Sequence, residues 1–231
     1  KVNMAAHREF RRFARSYGRY NLIQTRVAEA LARKVPKPFS RIVDLGCGTG
    51  GFFRAYEHAF ISYLAVDIVP EMTAIHPGGP GVETMVGDFN DPALFETLKS
   101  RDFDLLVSSS ALQWSRDLDW TLARIKDLGR PVALAIFTSG TFAALHETAG
   151  IVSPIRSKDE TIALLRKHFD AQIDILKYKL YFKDTLSILR YIKRSGVSGG
   201  TRRLGYRQTR QILQNYPLAY LQFEVVVAVG K

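Results

Sequence analysis

The ten residues from Val43 to Phe52, VDLGCGTGGF, restrict what this chain can become more than any other segment. An apolar strand carrying Ile42, Val43 and Leu45 runs into Gly46, Gly48 and Gly50, and Asp44 sits near its end. Glycine turns the chain with positive φ and lets backbone approach a ligand with no Cβ in the way. Seventeen residues after Gly50, a second apolar strand (Tyr63, Leu64, Ala65, Val66) ends in Asp67. Strand, glycine-rich turn, helix, strand and terminal acid is the nucleoside-binding βαβ arrangement, with the acid holding ribose hydroxyls. Gly51 also completes a G-x-G-x-x-G spacing from Gly46 and Gly48. Spacing alone therefore leaves a dinucleotide open.

At 231 residues and 46% hydrophobic, the chain can bury one full α/β core. We expect a single domain over 1–231, with residues 1–38 as an N-terminal helical lid and 184–216 as an inserted basic cap. No apolar run approaches the roughly 20 residues of a membrane helix, and the arginine-studded N-terminal segment does not read as a secretory signal. One cysteine, Cys47, allows no internal disulfide, which suits the cytoplasm. Within the glycine loop it reads as a small packing residue. The five histidines show no metal-ligand spacing, so no metal is expected.

Apolar spacing across residues 5–34 (Phe10, Phe13, Ala14, Tyr17, Val27, Leu31) predicts a helix or a kinked pair, ended by Pro36 and Pro38. Strands are expected at Ile42–Leu45, Tyr63–Asp67, Glu83–Val86, Phe103–Ser108 and Pro131–Thr138, with helices over 50–59 and 117–128. The fourth strand is almost wholly apolar, as burial on both faces of a parallel sheet requires. Beyond Gly140 the pattern predicts helices at Ser157–His168, Thr185–Arg194 and Tyr206–Asn215. Strands at Gln172–Phe182 and Leu221–Val229 should form an antiparallel edge, interrupted by the cap.

Asp44-Leu45-Gly46-Cys47-Gly48-Thr49-Gly50 resembles the signature loop of the class I S-adenosylmethionine-dependent methyltransferases. The resemblance implies a Rossmann-like, seven-stranded, mostly parallel sheet with helices on both faces, and S-adenosylmethionine as cofactor, leaving as S-adenosylhomocysteine. It also implies roles. The loop Gly46, Cys47, Gly48, Thr49 and Gly50 would meet the cofactor's carboxylate end with backbone N–H groups. Asp44 would hold the methionine amino group through water, and Asp67 both ribose hydroxyls. Ile68 and Met72 would flank the adenine, Asp88 would accept from its amino group with Phe89 beside the ring, and Ser108 would line the pocket near the reacting centre.

The Asn/Asp-Pro-Pro-Tyr/Phe motif usual in N-methyltransferases after the fourth strand is absent; the chain reads Ser108-Ser109-Ser110-Ala111-Leu112-Gln113-Trp114. This segment resembles the S-N-x-A-L-Q-W stretch of the malonyl-acyl-carrier-protein O-methyltransferases of biotin synthesis and of the related trans-aconitate methyltransferases. Phe10 to Gln24 and Leu189 to Val197 resemble the former family's opening helix and cap. Ser109 departs from its Asn, and Asp88-Phe89-Asn90-Asp91 departs from its D-I-E-x-L-P. The implied reaction methylates the free carboxylate of a malonyl thioester, an acceptor already ionised at neutral pH that needs no general base. Positioning would then fall to Tyr17, Gln113 and Trp114, and the acceptor would be held by Tyr17, Tyr20, Lys193, Arg202 and Arg203.

The net charge of +11 is concentrated. Residues 1–41 hold eleven Lys/Arg against Glu9 and Glu29, and residues 177–210 hold ten against Asp184 alone. Two basic segments flanking an acidic remainder form a surface for an anionic macromolecule. The resemblance names an acidic acyl carrier protein bearing malonyl, with malonyl-CoA as the alternative; nucleic acid fits less well without the N-methyltransferase motif. A small-molecule carboxylate O-methyltransferase, an RNA or DNA methyltransferase and a non-catalytic cofactor-binding accessory protein are the other readings.

Overall fold

The computed structural model describes residues 21–195 and 204–231. Helix α1 (Leu22–Lys34) buries Ile23, Val27, Ala28 and Leu31, the three-and-four spacing of a single apolar stripe. It is followed by β1 (Arg41–Leu45), α2 (Gly51–Ala55), β2 (Ser62–Asp67), α3 (Pro70–Ala74), β3 (Val82–Val86), α4 (Pro92–Lys99) and β4 (Leu105–Ser109). A 3₁₀ turn (Leu112–Trp114) leads into α5 (Leu118–Asp127), β5 (Val132–Phe137), α6 (Ala143–Ala149) and α7 (Lys158–His168). Strand β6 (Ala171–Tyr181), α8 (Thr185–Ser195), α9 (Tyr206–Asn215) and β7 (Tyr220–Gly230) complete the order.

The seven strands form one sheet in the order β3-β2-β1-β4-β5-β7-β6. β1 pairs parallel with β2 and β4, β2 with β3, and β4 with β5, while β7 runs antiparallel to both β5 and β6. Strand order reverses between β1 and β4, and such a switch point opens a crevice at the carboxyl ends of the strands. Strand β5 is buried at every residue, as its central place demands, whereas β6 alternates half-buried and exposed residues as an edge strand does. One apolar layer packs α1, α2, α6, α8 and α9 on one sheet face; a second packs α4, α5 and α7 on the other.

The seven-stranded, mostly parallel sheet and its antiparallel edge stand as expected, and α8 and α9 do lie between β6 and β7. Three local expectations are corrected. The first helix after the glycine loop covers only Gly51–Ala55, not 50–59. Tyr56 leaves the helix because its buried hydroxyl donates to the Phe39 carbonyl at 2.9 Å and accepts from the Phe39 N–H at 2.7 Å. Helices α4 and α6 lie where no helix was expected. For α4 the signal was present: Asp91 caps it by accepting from the Ala93 N–H, and Pro92 opens it. Among the described residues no helix is long and apolar enough to cross a membrane.

Candidate active site

Above the switch point lies a cleft of about 1030 Å³, its open mouth included, walled by the loops after β1 to β4 and by the start of α1. The chain leaves β1 through Gly46, Gly48 and Gly50, at φ +74°, +51° and +84°. These glycines do different things. A Cβ on Gly46 would run into Ala111 in the turn after β4, so Gly46 locks two loops together. A Cβ on Gly50 would meet Pro77 Cδ at 2.6 Å, and Gly50 packs behind the cleft, not in it. A Cβ on Gly48 would meet nothing within 4 Å, and Gly48 lines the cleft. Its missing side chain leaves room for a ligand.

The expected use of the loop's N–H groups needs correction. Gly46 and Cys47 both donate to the Val66 carbonyl (2.8 and 3.0 Å), Gly48 donates to Asp67 Oδ2 (2.9 Å) and Gly50 to the Cys47 carbonyl (2.9 Å). Four of the five donors thus hold the loop in shape. Close backbone approach is what the loop contributes to a ligand.

Three acids reach the cleft from the ends of β1, β2 and β3: Asp44, Asp67 and Asp88. Asp44 is 1% exposed; Oδ2 accepts from the Tyr63 hydroxyl at 2.7 Å, while Oδ1 is buried with no partner. Burial pushes its carboxyl up to about 7, opposed by the Tyr63 hydrogen bond and reinforced by nearby Asp67. Asp67 accepts from the Gly48 and Val69 N–H groups, one on each oxygen, at 2.9 Å. Each oxygen keeps a lone pair for a hydroxyl. Burial raises the Asp67 carboxyl too, and these backbone donors counter it. Asp88 Oδ1 accepts twice from Asn90, and Oδ2 lies 3.4 Å from Arg116 Nη2.

The residues fit S-adenosylmethionine. Besides Asp44 Oδ1, the Oε1 atom of Gln24, on the cleft wall from α1, is buried and unpaired. Orphaned buried acceptors of this kind call for a donor, and an ammonium group supplies three. Asp67 with two free lone pairs suits a ribose diol, and Ile68, Met72 and Phe89 give the cleft an apolar flank. Asn21 and Thr25 of α1 also line it. These α1 residues were not anticipated as site residues, because helix docking is a tertiary event that apolar spacing does not report.

Cys47 and Thr49 line the cleft. The Cys47 thiol is pushed strongly upward by burial and by Asp44 and Asp67, so it stays protonated and packs. Ser108 does not line the cleft: it is fully buried, and its hydroxyl donates to the Leu45 carbonyl at 2.7 Å, tying β4 to β1. The next two serines, Ser109 and Ser110, line it instead, with Trp114. Gln113 lies behind them, its Nε2 donating to the Ser110 carbonyl at 2.6 Å. Lys193 is exposed on α8 and is not part of the cleft wall. Tyr17, Tyr20, Arg202 and Arg203 lie outside the described residues.

Residues 43–137 match the family model of the methyltransferase domain. The chain is 29% identical to a malonyl-[acyl-carrier protein] O-methyltransferase of Chlorobium luteolum, over 84% of this chain and 79% of the relative. It is 28% identical to the enzyme of the same name from Enterobacter lignolyticus, over 91% and 87%. Among solved structures, the YcgJ protein of Bacillus subtilis superposes with a TM-score of 0.61 at 13% identity, over 89% of this chain and 98% of that one. Sheet order, cleft chemistry and sequence matches converge: the chain carries a methyltransferase domain at residues 43–137 in the fold of S-adenosylmethionine-dependent methyltransferases, with S-adenosylmethionine as its cofactor.

Proposed function

We propose that this enzyme methylates the free carboxylate of a malonyl group carried as a thioester on an acidic acyl carrier protein. The observation that carries the reading is the extent of likeness to relatives bearing that name, which covers 84% and 91% of this chain and so reaches well beyond the methyltransferase domain at residues 43–137. The cofactor supplies a methyl carbon on a sulfonium, which passes to the acceptor oxygen while the carbon–sulfur bonding pair stays on sulfur and no proton moves. A carboxylate acceptor therefore asks for alignment and exclusion of water. The cleft supports this: among the described residues its wall carries no His, Lys or Arg.

Within this reading Asp44 and Gln24 hold the methionine ammonium, Asp67 the ribose and Asp88 the adenine amino group, with Ile68, Met72 and Phe89 against the ring. Lys193, on α8, belongs to the cap that would meet the acceptor. Exposed Lys177, Lys179, Lys183, Arg190, Lys193, Arg207 and Arg210 on β6, α8, α9 and the intervening turn supply charge complementary to an acidic carrier.

The test is methyl transfer from labelled S-adenosylmethionine to malonyl-acyl-carrier protein, with malonyl-CoA, free trans-aconitate and bulk RNA alongside. Label on the carrier, released as methanol by mild base, is the expected result. Label on trans-aconitate alone, or on RNA alone, would replace this acceptor with that one.

A further inference from the structure

We propose that Ser109 and Ser110 form the seat for the acceptor's carboxylate, with Gln113 as the residue that positions them. The proposal rests on the malonyl-carboxylate reading above and adds the groups that hold the carboxylate inside the cleft.

The chain leaves β4 at Ser109, and the next residue, Ser110, stands at φ +65°. Only one other non-glycine residue among those described, Phe142, has a positive φ. A side chain in the left-handed region is strained, and such strain persists where surrounding contacts impose it. Here they do. The Ser110 N–H donates to the Ala135 carbonyl at 2.9 Å, the Ser110 carbonyl accepts from Gln113 Nε2 at 2.6 Å, and Ala111 packs on Gly46.

This imposed turn puts two serines on the cleft wall, and both Oγ atoms are buried with no hydrogen-bond partner. Buried hydroxyls without partners are uncommon because each forfeits its hydration. Two adjacent ones, one of them on a strained residue, point to a ligand that supplies acceptors. A carboxylate supplies two oxygens and no donor.

Electrostatics selects the same end of the cleft. Asp44, Asp67 and Asp88 stand on the β1-β2-β3 side, whereas Ser109 ends β4 and Ser110 follows it, across the switch point. An anionic acceptor is repelled from the three acids and meets neutral donors at β4. Hydroxyls can orient a carboxylate without neutralising it, so the attacking oxygen keeps its charge until the methyl arrives.

The variants Ser109→Ala and Ser110→Gly, singly and together, test this. Glycine suits the left-handed turn, so Ser110→Gly removes the hydroxyl while relieving strain, and its Tm should not fall. The expected result for the double variant is a KM for malonyl-acyl-carrier protein and malonyl-CoA raised roughly tenfold or more, as for one or two lost hydrogen bonds. Calorimetric affinity of the S-adenosylhomocysteine-loaded protein for malonyl-CoA should fall in parallel. Affinity for S-adenosylmethionine should stay within about twofold, and Ser109→Thr should recover most of the loss. An unchanged KM, or a matching loss of cofactor affinity, overturns the seat while leaving the malonyl reading intact. A wild-type enzyme that methylates no malonyl thioester overturns the reading, and the seat with it.

Discussion

The Tyr63 hydroxyl donates to Asp44 Oδ2 at 2.7 Å across the β1–β2 pair, inside the sheet and out of reach of water. It is the only side-chain hydrogen bond to Asp44 among the described residues, and Asp67 adds repulsion. The pair therefore sets how readily Asp44 takes up charge to receive the cofactor's ammonium. Replacing Tyr63 by Phe removes the donor and keeps the ring, so the carboxyl should rise above about 7. We expect affinity for S-adenosylmethionine at pH 7 to fall about tenfold, consistent with a hydrogen bond to a charged group of about 1.5 kcal/mol. The loss should shrink at pH 8.5, and titration calorimetry at both pH values reads it directly.

Asp44 also governs stability without cofactor, and the sign follows from the direction of its shift. Its folded carboxyl lies at about 7, above the ordinary 3.8, so the folded protein binds this proton more tightly than the unfolded chain does. Its contribution is most favourable below about pH 4, declines as pH rises from about 4 to about 7, and is fully unfavourable above that. Asp44→Asn should therefore raise the Tm of the cofactor-free protein, more at pH 8 than at pH 5, while weakening cofactor binding at least tenfold. Thermal melts at the two pH values check the first part; an equal Tm gain at both would refute the buried-charge account.

How much of this site was readable in the sequence depends on what each residue's role requires. The glycine loop and the three strand-terminal acids are local patterns, and the structure brings Asp44, Asp67 and Asp88 to one cleft. Helix α9 runs from Tyr206 to Asn215 as its apolar spacing and flanking Gly and Pro indicate. Ser108 shows the limit. Successive side chains on a strand point to opposite faces, so placing the end of β4 one residue early changes which serine leaves the sheet. The structure ends β4 at Ser109, turning Ser108 into a tie to Leu45 and bringing Ser109 and Ser110 to the cleft. Gln24 and Asn21 were unreadable for a different reason: they reach the cleft only because α1 docks against the sheet.

Asp67 organises the loop as well as awaiting the ribose, since its two oxygens hold the Gly48 and Val69 N–H groups. Asp67→Ala should orphan both donors and cost on the order of 1–3 kcal/mol for each that stays dry. A Tm loss should therefore accompany the loss of cofactor binding, in contrast to the Tm gain expected of Asp44→Asn. Thermal melts on cofactor-free protein separate the two acids: an Asp67→Ala variant as stable as wild type would mean that the loop holds its shape without it.

Gly46 and Gly48 share a signature and a positive φ but should fail differently when changed to Ala. Both variants carry the left-handed penalty of roughly 1–2 kcal/mol. Only at Gly46 does the new Cβ also strike Ala111, forcing apart the loops after β1 and β4. Overpacking of this kind adds about 1–3 kcal/mol, so Gly46→Ala should lower the Tm clearly more than Gly48→Ala does. The Gly48 Cβ finds open space, and that space belongs to the cleft. Gly48→Ala should keep most of its stability and lose cofactor affinity by tenfold or more, because the methyl occupies room the ligand needs. Melting curves paired with S-adenosylmethionine titrations separate the two effects. If Gly48→Ala binds cofactor as wild type does, the ligand does not approach the loop at that glycine.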